Sequence, residues 1–427
     1  MDSIARGTLI NLWTRVLGLG LGLTIVVVTA RLGPLEQGSF ALFCAVESTL
    51  LMLGSGFGVA LARRVSHHGE RPAGLVAAML IMSVALGLVG ALAIAAAATL
   101  GGASMAFLWV LACALPLLLV TPSLGGLWLG SARMVALARI NLAAPILTVA
   151  GIGLALAWSG RIELLAVLWS WVAARVLVAV ATAIAAWRKG WIGRPAFTAL
   201  GGELRFVAVI GMTNVIGLLN YKIDLFLVEH FLGRASTGVY SVAVMVAELL
   251  WLVSSSVTQA AYARIGTPDA AESSRVTLRA IHASVLALAL LAPALWLVAA
   301  LALAPVLGSE YAAALPVLAW LLPGVLAYGA ASALSAYFTN HAGRPLIPAA
   351  LAGLSLLINL VLSVLLIPRL GMLGGAIATT LSYVISMAAS VALFRRLSGT
   401  PLRRLMRPDW QAMFADLRRL AVRPLRA

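Results

Sequence analysis

Residues 31–64 read RLGPLEQGSFALFCAVESTLLMLGSGFGVALARR, and residues 231–264 read FLGRASTGVYSVAVMVAELLWLVSSSVTQAAYAR. The two stretches align without a gap at an offset of 200 residues. The matched positions are Leu32 with Leu232, Gly33 with Gly233, Gly38 with Gly238, Val46 with Val246 and Arg64 with Arg264. A repeat with so long a period indicates a duplicated half rather than a solenoid. In membrane proteins such duplication is typical of transporters, in which the substrate site lies at the interface of the halves.

The composition is that of an integral membrane protein. Of the 427 residues, 62% are hydrophobic and only 10% are charged, and the mean hydropathy is +1.04. A soluble domain carries about 25% charged residues. The net charge of +16 indicates membrane topology rather than nucleic-acid binding. Cys44 and Cys113 lie in apolar runs without metal or disulfide spacing, so no metal or cofactor is predicted.

Twelve apolar runs are long enough to cross a bilayer, which takes about 20 residues. They fall at 7–30, 38–62, 74–100, 104–129, 138–158, 163–187, 204–228, 237–262, 277–304, 312–339, 346–367 and 372–394. With twelve spans, both termini lie on the same side. The segments on that side hold 23 basic residues and those on the other side hold four. Because basic residues concentrate in cytoplasmic segments, both termini are predicted to be cytoplasmic.

The predicted organisation is two six-helix halves, 1–199 and 200–395, followed by a basic tail, 396–427. In the tail, Asp409 can cap a short helix. The apolar side chains at 3–4 spacing in that helix are Trp410, Met413, Phe414, Leu417 and Leu420. Such a helix would lie on anionic lipid at the membrane surface. The alternative is a disordered tail whose charge only fixes the topology.

The duplicated stretches resemble the polysaccharide-transporter branch of the multidrug/oligosaccharidyl-lipid/polysaccharide flippase superfamily. Its familiar form is the Wzx-type flippase of O-antigen and exopolysaccharide units. The residues that carry the resemblance are Arg31-Leu32-Gly33 and Gly38-Ser39-Phe40 in the first half, and Asp224, Phe231-Leu232-Gly233 and Gly238-Val239-Tyr240 in the second. With the arrangement of two times six spans, the resemblance extends over about 1–395.

The resemblance implies an all-α integral membrane protein with twelve transmembrane helices in two six-helix pseudo-symmetric halves around a central cavity. The first, second, seventh and eighth helices are implied to line that cavity. The implied function is transport rather than enzymatic catalysis: an undecaprenyl-pyrophosphate-linked oligosaccharide is flipped from the cytoplasmic to the outer leaflet of a bacterial inner membrane by alternating access. The expected partners are this lipid-linked oligosaccharide, membrane lipids, a coupling proton or sodium ion, and a polysaccharide polymerase.

On the first span, Asn11, Arg15, Gly18 and Gly22 share one helical face. An ionisable side chain within a span costs about 2.5–3.5 kcal/mol on insertion scales, so each one needs a reason. We expect the Arg15 guanidinium to bind the pyrophosphate, whose oxygens match its paired donors. The alternative is that Arg15 extends to the cytoplasmic surface.

Glu47 and Glu248 lie at nearly equivalent depths in the two copies, offset by one residue. Carboxyl groups removed from water take up a proton more readily. The pair therefore suits coupling to a proton or another ion. Structural pairing with a cation is the alternative for both.

The seventh span ends in NYKID, residues 220–224. Asn214 and Tyr221 are seven residues apart on one face, and Asp224 follows Tyr221 by three. Lys222 lies on the other flank, so this helix would offer both charge signs to the cavity. The alternative for Asp224 is a gate at the outer leaflet or a pairing residue for Lys222 or Arg31.

The eighth span carries Ser241, Glu248, Ser255 and Gln259 at spacings of seven and four residues. This spacing predicts one polar stripe that lines the cavity.

Three polar residues occur in spans outside those implied to line the cavity. Arg175, in the sixth span, is either a substrate contact or the partner of a carboxylate or carbonyl group. Asn141 and Asn359 are expected to form hydrogen bonds between helices.

The sequence leaves other functions open. A drug or small-molecule exporter of the same superfamily is the main alternative, although Arg15 and Lys222 weigh against cationic drugs. A glycan polymerase or ligase would need a sizeable outward loop, and each predicted outward loop is short. No nucleotide-binding loop, nucleophile elbow or HExxH motif occurs.

Overall fold

Helices form nearly all of the described chain. The computed structural model describes residues 3–68 and 72–406, without the side chains of residues 3–12, 15, 67–68, 103–104, 263 and 406. No strand occurs in these ranges. The first eight α-helices are α1 Ser3–Arg31, α2 Pro34–His68, α3 Ala73–Leu100, α4 Leu108–Leu118, α5 Val120–Gly130, α6 Met134–Ser159, α7 Leu164–Arg188 and α8 Phe197–Leu232. The next eight are α9 Arg234–Glu248, α10 Trp251–Ile265, α11 Ala270–Leu307, α12 Ala314–Tyr328, α13 Ala331–Ala336, α14 Leu346–Leu370, α15 Met372–Ser398 and α16 Leu402–Met406.

Eleven helical segments of the described chain are long and apolar enough to cross a membrane, and α1 adds the apolar stretch Val16–Arg31. Every predicted span overlaps one of these helices or a series of shorter helices that follow one another along the chain. The predicted class, an all-α multi-pass membrane protein with about twelve spans, is therefore confirmed. The helix proposed around Asp409 lies outside the described residues.

Three of the predicted spans are not single helices, which the sequence did not reveal. The fourth span is α4 followed by α5, the eighth is α9 followed by α10, and the tenth is α12, α13 and a π-helical turn, Tyr337–His341. Pro116 and Pro122 flank the first break, and proline has no N–H for the helical ladder and crowds the preceding turn. At the third break, Gly329 follows the end of α12, where glycine weakens a helix.

The repeated Leu-Gly dipeptide turns the chain in both copies. Gly33 has φ +123 and Gly233 has φ +80, a region that favours glycine because it has no Cβ. The carbonyl of each glycine accepts the first hydrogen bond of the following helix, from Gln37 N at 3.0 Å and Thr237 N at 3.2 Å. Both turns therefore end one helix and start the next within a few residues.

The chain folds as two compact units, Met1–Leu218 and Leu219–Ala427, called unit 1 and unit 2 below. The division falls inside α8, so the first part of this helix belongs to unit 1 and its last part to unit 2. The predicted boundary at 199/200 lies near the start of the same helix.

Helices of unit 1 pack closely where glycine lies at the point at which they cross. A Cβ at Gly58 would collide with the Pro122 carbonyl, and one at Gly126 with the Gly58 carbonyl. Glycine at these positions lets α2 and α5 approach backbone to backbone, which is the usual means of tight helix packing in membranes. A Cβ at Gly56 would similarly meet the Val207 carbonyl of α8.

The segment between α7 and α8 is fixed to unit 1. The amides of Gly193 and Ala196 donate to the carbonyls of Ala73 and Gly74 at 3.0 and 2.9 Å. Trp191 is 5% exposed and packs edge-on against Trp128. The start of α8 is thereby held against α3.

Candidate functional site

Unit 1 contains a buried ion pair in the middle of its helices. Glu47 of α2 is 2% exposed, and its Oε1 lies 3.0 Å from Arg175 Nε of α7. The contact is electrostatic, because Oε1 receives no well-aligned hydrogen bond. Glu47 Oε2 accepts a 2.8 Å hydrogen bond from Trp171 Nε1. Arg175 thus has the carboxylate partner that the sequence left open as an alternative to substrate contact.

Trp171 contacts both members of this ion pair. It precedes Arg175 by four residues, so the two side chains share a face of α7. The Arg175 Cζ atom lies 3.5 Å from the Trp171 ring centroid, which is a cation–π contact. Phe40 closes the other side with an edge-on contact at 5.2 Å between ring centroids. Sequence reasoning missed Trp171, although its i, i+4 spacing from Arg175 was a usable signal.

A cavity of about 470 Å³ lies beside this pair and is lined mainly by apolar side chains of α2, α4, α5, α6 and α7. Arg175, Asn141 and Ser55 are among its few polar neighbours. Asn214 donates a 2.8 Å hydrogen bond to Ser55 Oγ. Asn214 is therefore bound to a residue that lines a unit 1 cavity, whereas Tyr221, predicted to share its face, belongs to unit 2.

Unit 2 contains a second ion pair, which is more accessible. Lys222 Nζ of α8 lies 2.9 Å from Glu248 Oε1 at the end of α9. The two side chains are 24% and 26% exposed. Arg175 and Lys222 are equally exposed, so the two pairs differ in the acid, which is 2% exposed in Glu47 and 26% in Glu248.

Aromatic rings pack beside the Lys222–Glu248 pair. Tyr221 and Trp251 have centroids 4.6 Å apart, and Tyr328 stacks on Tyr383 at 4.5 Å. Of these four residues the sequence singled out only Tyr221. The others lie on α10, α12 and α15, so no local spacing in the sequence connects them.

Asp224 is 2% exposed and is surrounded by hydrogen-bond donors without a formal charge. Its Oδ2 accepts hydrogen bonds from Tyr240 Oη at 2.7 Å and Thr379 Oγ1 at 3.3 Å, and its Oδ1 accepts one from the amide of Leu225 at 2.9 Å. Lys222, two residues earlier in α8, acts on this carboxylate electrostatically. Asp224 is therefore a buried acid held by hydrogen bonds, with a cation nearby.

The Asp224 network continues into two further helices. Asn359 Nδ2 of α14 donates to Thr379 Oγ1 of α15 at 3.4 Å, and Ser363 donates to Asn359 Oδ1 at 2.9 Å. Asn359 and Ser363 are both 0% exposed. The predicted interhelical hydrogen bond of Asn359 is confirmed.

The predicted stripe of the eighth span is interrupted, because the prediction of one continuous helix there is wrong. Between α9 and α10 the amides of Leu252 and Val253 bond three residues back, at 3.3 and 3.1 Å. A 3₁₀ turn advances about 20° more per residue than an α-helix, which shifts later side chains around the axis. Ser241 is accordingly buried and Gln259 exposed, while Ser255 is half-buried and bonds to a carbonyl of its own helix.

Asn11 and Arg15 lie on the described backbone of α1, but their side chains are outside the described set. Their part in anion binding stays a prediction.

A second, very small cavity of about 10 Å³ lies in unit 2. Its polar neighbours are Tyr221, Asp224, Glu248, Trp251, Thr379 and Tyr383. A space of about this size holds one water molecule. It brings together three residues that the sequence singled out: Tyr221, Asp224 and Glu248.

The sequence matches the pattern of the family described as polysaccharide biosynthesis protein over residues 4–267. Both duplicated stretches lie inside this range. Among curated proteins, no sequence matches this chain.

Solved structures show the same fold at low sequence identity. An inward-facing multidrug resistance MATE family transporter of the MOP superfamily has a TM-score of 0.74 and 15% identity, over 89% of this chain and 94% of that one. The lipid II flippase MurJ, in an inward closed conformation, has a TM-score of 0.72 and 14% identity, over 94% and 89% of the two chains. A MOP superfamily transporter from Pyrococcus furiosus, whose binding pocket is described as reversed in polarity, has a TM-score of 0.62 and 14% identity, over 95% and 96%.

Proposed function

The chain belongs to the polysaccharide biosynthesis protein family, and we propose that it flips an undecaprenyl-pyrophosphate-linked oligosaccharide across a bacterial inner membrane. In this proposal the basic ends of the helices face the cytoplasm, and the substrate moves to the outer leaflet by alternating access of the two halves around a central cavity. The head group must cross about 30 Å of hydrocarbon. Charged groups inside the spans supply the polar contacts that this crossing needs.

The observation that carries the proposal is the partly exposed ion pair of Lys222 and Glu248. Lys222 Nζ is held by one carboxylate oxygen at 2.9 Å, and about a quarter of each side chain is accessible. A pyrophosphate brings more negative charge than a carboxylate and can replace Glu248 at the ammonium group. Glu248 is then released without a cation beside it, inside a span, where uptake of a proton or sodium ion restores neutrality.

This exchange links substrate binding to ion uptake. A lone carboxylate inside a membrane is costly, so the ion is taken up when the substrate binds and given up when the substrate leaves. Asp224 lies two residues beyond Lys222 and borders the same small cavity as Glu248. We propose Asp224 as the second acid of the coupling site, and Arg15 as a further contact of the pyrophosphate.

A binding measurement with two variants of opposite expected sign tests the exchange. Lys222→Gln removes the cation and should weaken binding of the purified lipid-linked oligosaccharide by about tenfold, the loss of one charge-assisted contact of about 1.4 kcal/mol. Glu248→Gln removes the competing carboxylate and should tighten binding by a comparable factor. Glu163→Gln, in an exposed ion pair with Arg161, is the control and should change nothing. Weaker binding in both Lys222→Gln and Glu248→Gln would contradict the exchange.

In cells, Arg15→Ala should abolish surface polysaccharide while the protein level in the membrane stays normal. The physical reason is the loss of the guanidinium that is proposed to hold the pyrophosphate. Unchanged polysaccharide output would remove Arg15 from the proposal.

A drug or small-molecule exporter is the second candidate, and the cavity of unit 1 favours it. That cavity has a volume of about 470 Å³ and mostly apolar walls, as pockets for small organic ligands do. A host that lacks its own exporters would then gain resistance to apolar compounds when it expresses this chain, and Leu51→Trp should reverse the gain by filling the cavity. Resistance that is equal with and without the chain would leave only the flippase.

A further inference from the structure

Two helix breaks of unit 2 lie side by side. The α9/α10 break covers Leu249–Leu250, and the α12/α13 break covers Gly329–Ala330. A Cβ at Gly329 would lie 3.1 Å from Ser254 Oγ, so these two residues are in contact. Ser332 Oγ donates to the Ser254 carbonyl at 3.4 Å and shares a 2.6 Å hydrogen bond with Thr258 Oγ1.

Several buried polar atoms around these breaks have no hydrogen-bond partner. They are Ser254 Oγ, Asn220 Oδ1 and Trp251 Nε1. Ser254 and Asn220 are 3% and 1% exposed. A buried polar atom left unpaired costs about 1–3 kcal/mol. So many orphaned atoms in one region indicate a polar occupant, and the atoms of the protein do not supply it.

The first copy of the duplicated stretch differs at these positions. At the offset of 200, Ser254, Ser256 and Thr258 take the places of Gly54, Gly56 and Gly58. In unit 1 those glycines bring the helices into close contact. In unit 2 hydroxyl groups stand there instead, and the contacts between α10 and α13 include polar atoms.

Polar contacts extend from the breaks in both directions. Toward one side, Asn220 Nδ2 reaches Tyr328 Oη at 3.5 Å, and Tyr383 Oη donates to the Asn220 carbonyl at 3.4 Å. Tyr383 and Asp224 border the 10 Å³ cavity. Toward the end of the helices at which α10 stops and α14 starts, Tyr262 donates to Asn340 Oδ1 at 3.1 Å, and Asn340 Nδ2 is again buried without a partner.

We propose that unit 2 encloses a chain of bound water that runs from Asn340 and Tyr262, past Ser254 and Ser332, to the cavity beside Asp224. Water is the ligand that suits isolated hydroxyl, amide and indole groups, because each molecule makes about three hydrogen bonds. The 10 Å³ cavity at the Asp224 end has room for one such molecule. The chain of water would give the coupling ion of the proposed function a route through one unit, and in this respect it rests on that function.

Cysteine accessibility tests the water directly. In a chain with Cys44→Ala and Cys113→Ala, the variants Ser254→Cys and Ser332→Cys are treated in proteoliposomes with a small water-soluble methanethiosulfonate. Because only a hydrated thiol ionises and reacts, both should be modified about tenfold or more faster than buried control thiols. The controls are Ser83→Cys in unit 1, 0% exposed, and Ser390→Cys in unit 2, 6% exposed, whose hydroxyls bond to helix carbonyls. Equal rates in test and control variants would overturn the inference.

Hydroxyl-radical footprinting of the unmodified chain gives a second reading that needs no variant. Tyr383 and Tyr311 are 2% and 0% exposed in the same unit, and of these two only Tyr383 borders the cavity. Tyr383 should be oxidised severalfold faster than Tyr311, and equal protection of both would contradict a water chain. Neither measurement involves the substrate, so a dry interior with intact flipping removes this inference alone. A wet interior in a protein that does not flip removes the proposed function alone.

Discussion

The two copies of the duplicated stretch have become opposite kinds of helix. In unit 1, α2 is continuous, its glycines touch neighbouring helices, and its acid is 2% exposed and fixed between an indole and a guanidinium. In unit 2, the equivalent helix is broken into α9 and α10, hydroxyl residues replace the glycines, and its acid is 26% exposed beside a lysine. The comparison indicates that the acid of the repeat is fixed in unit 1 and more accessible in unit 2.

The largest expected effect comes from breaking the buried pair. Arg175→Gln leaves Glu47 without its cation, and removal of one partner from a buried pair costs about 3–5 kcal/mol. We expect a matching loss in the free energy of unfolding in detergent. Lys222→Gln is the matched change in unit 2 and should cost less, because the two cations are equally exposed, at 24% each, but the acid left behind is 26% exposed in Glu248 and 2% in Glu47. Equal losses in the two variants would end the distinction between the units.

A second change transfers a residue from unit 2 into unit 1. Gly58→Thr places a branched side chain against the Pro122 carbonyl, and overpacking of this kind costs about 1–3 kcal/mol or more. The melting temperature should fall accordingly. Gly125→Ala is the control, since a Cβ there meets nothing within 4 Å, and it should be neutral or slightly stabilising. A stable Gly58→Thr variant would show that α2 and α5 separate easily.

The third change makes unit 2 resemble unit 1 at the aromatic of the repeat. Tyr240→Phe, which reproduces Phe40, removes the 2.7 Å hydrogen bond to Asp224. A hydrogen bond to a charged group contributes about 1.5–3 kcal/mol when the acid is ionised. The free energy of unfolding should fall by up to that amount near neutral pH and by less when Asp224 is protonated at low pH. A loss that is independent of pH would indicate that Asp224 is neutral throughout.

The smallest expected effect is on the rate of flipping, where variants of Glu47 and Glu248 should differ in their response to an ion gradient. In vesicles, Glu248→Gln should abolish the response of flipping to an ion gradient, a change of severalfold in rate and hence about 1 kcal/mol. Glu47→Gln should lower stability but leave the response, because its wild-type carboxylate is locked to Arg175. If both single variants keep the response and the double variant keeps it too, these acids are structural.

The sequence predicts the helices well and the site in part. Apolar runs of about 20 residues locate the eleven helical segments of the described chain that are long enough to span a membrane, and the apolar stretch of α1, since hydropathy is a local property. The matched positions of Glu47 and Glu248 predict similar surroundings for the two acids. The structure gives them different burial and different partners, because both depend on other helices. The pairing of Glu47 with Arg175 joins residues 128 positions apart, and no local pattern connects them.

The helix breaks were also beyond local reasoning. Leu249 and Leu250 have no helix-breaking character, so no local pattern in the sequence marks the α9/α10 break. The contact between Tyr328 and Tyr383 likewise joins residues far apart in the sequence. Tyr240 could have been predicted, because the repeat marks it as the counterpart of Phe40. The hydroxyl group that Phe40 lacks was a signal for its hydrogen bond to Asp224.

The division of the chain at Leu218–Leu219 also sets an order of synthesis. Glu47, Trp171 and Arg175 are all synthesised before unit 2 begins. At about 5–20 residues per second, the rest of the chain needs about 10–40 seconds more. The costly buried carboxylate therefore has its partners at hand throughout that interval, and a newly made first half need not wait in the membrane with an uncompensated charge.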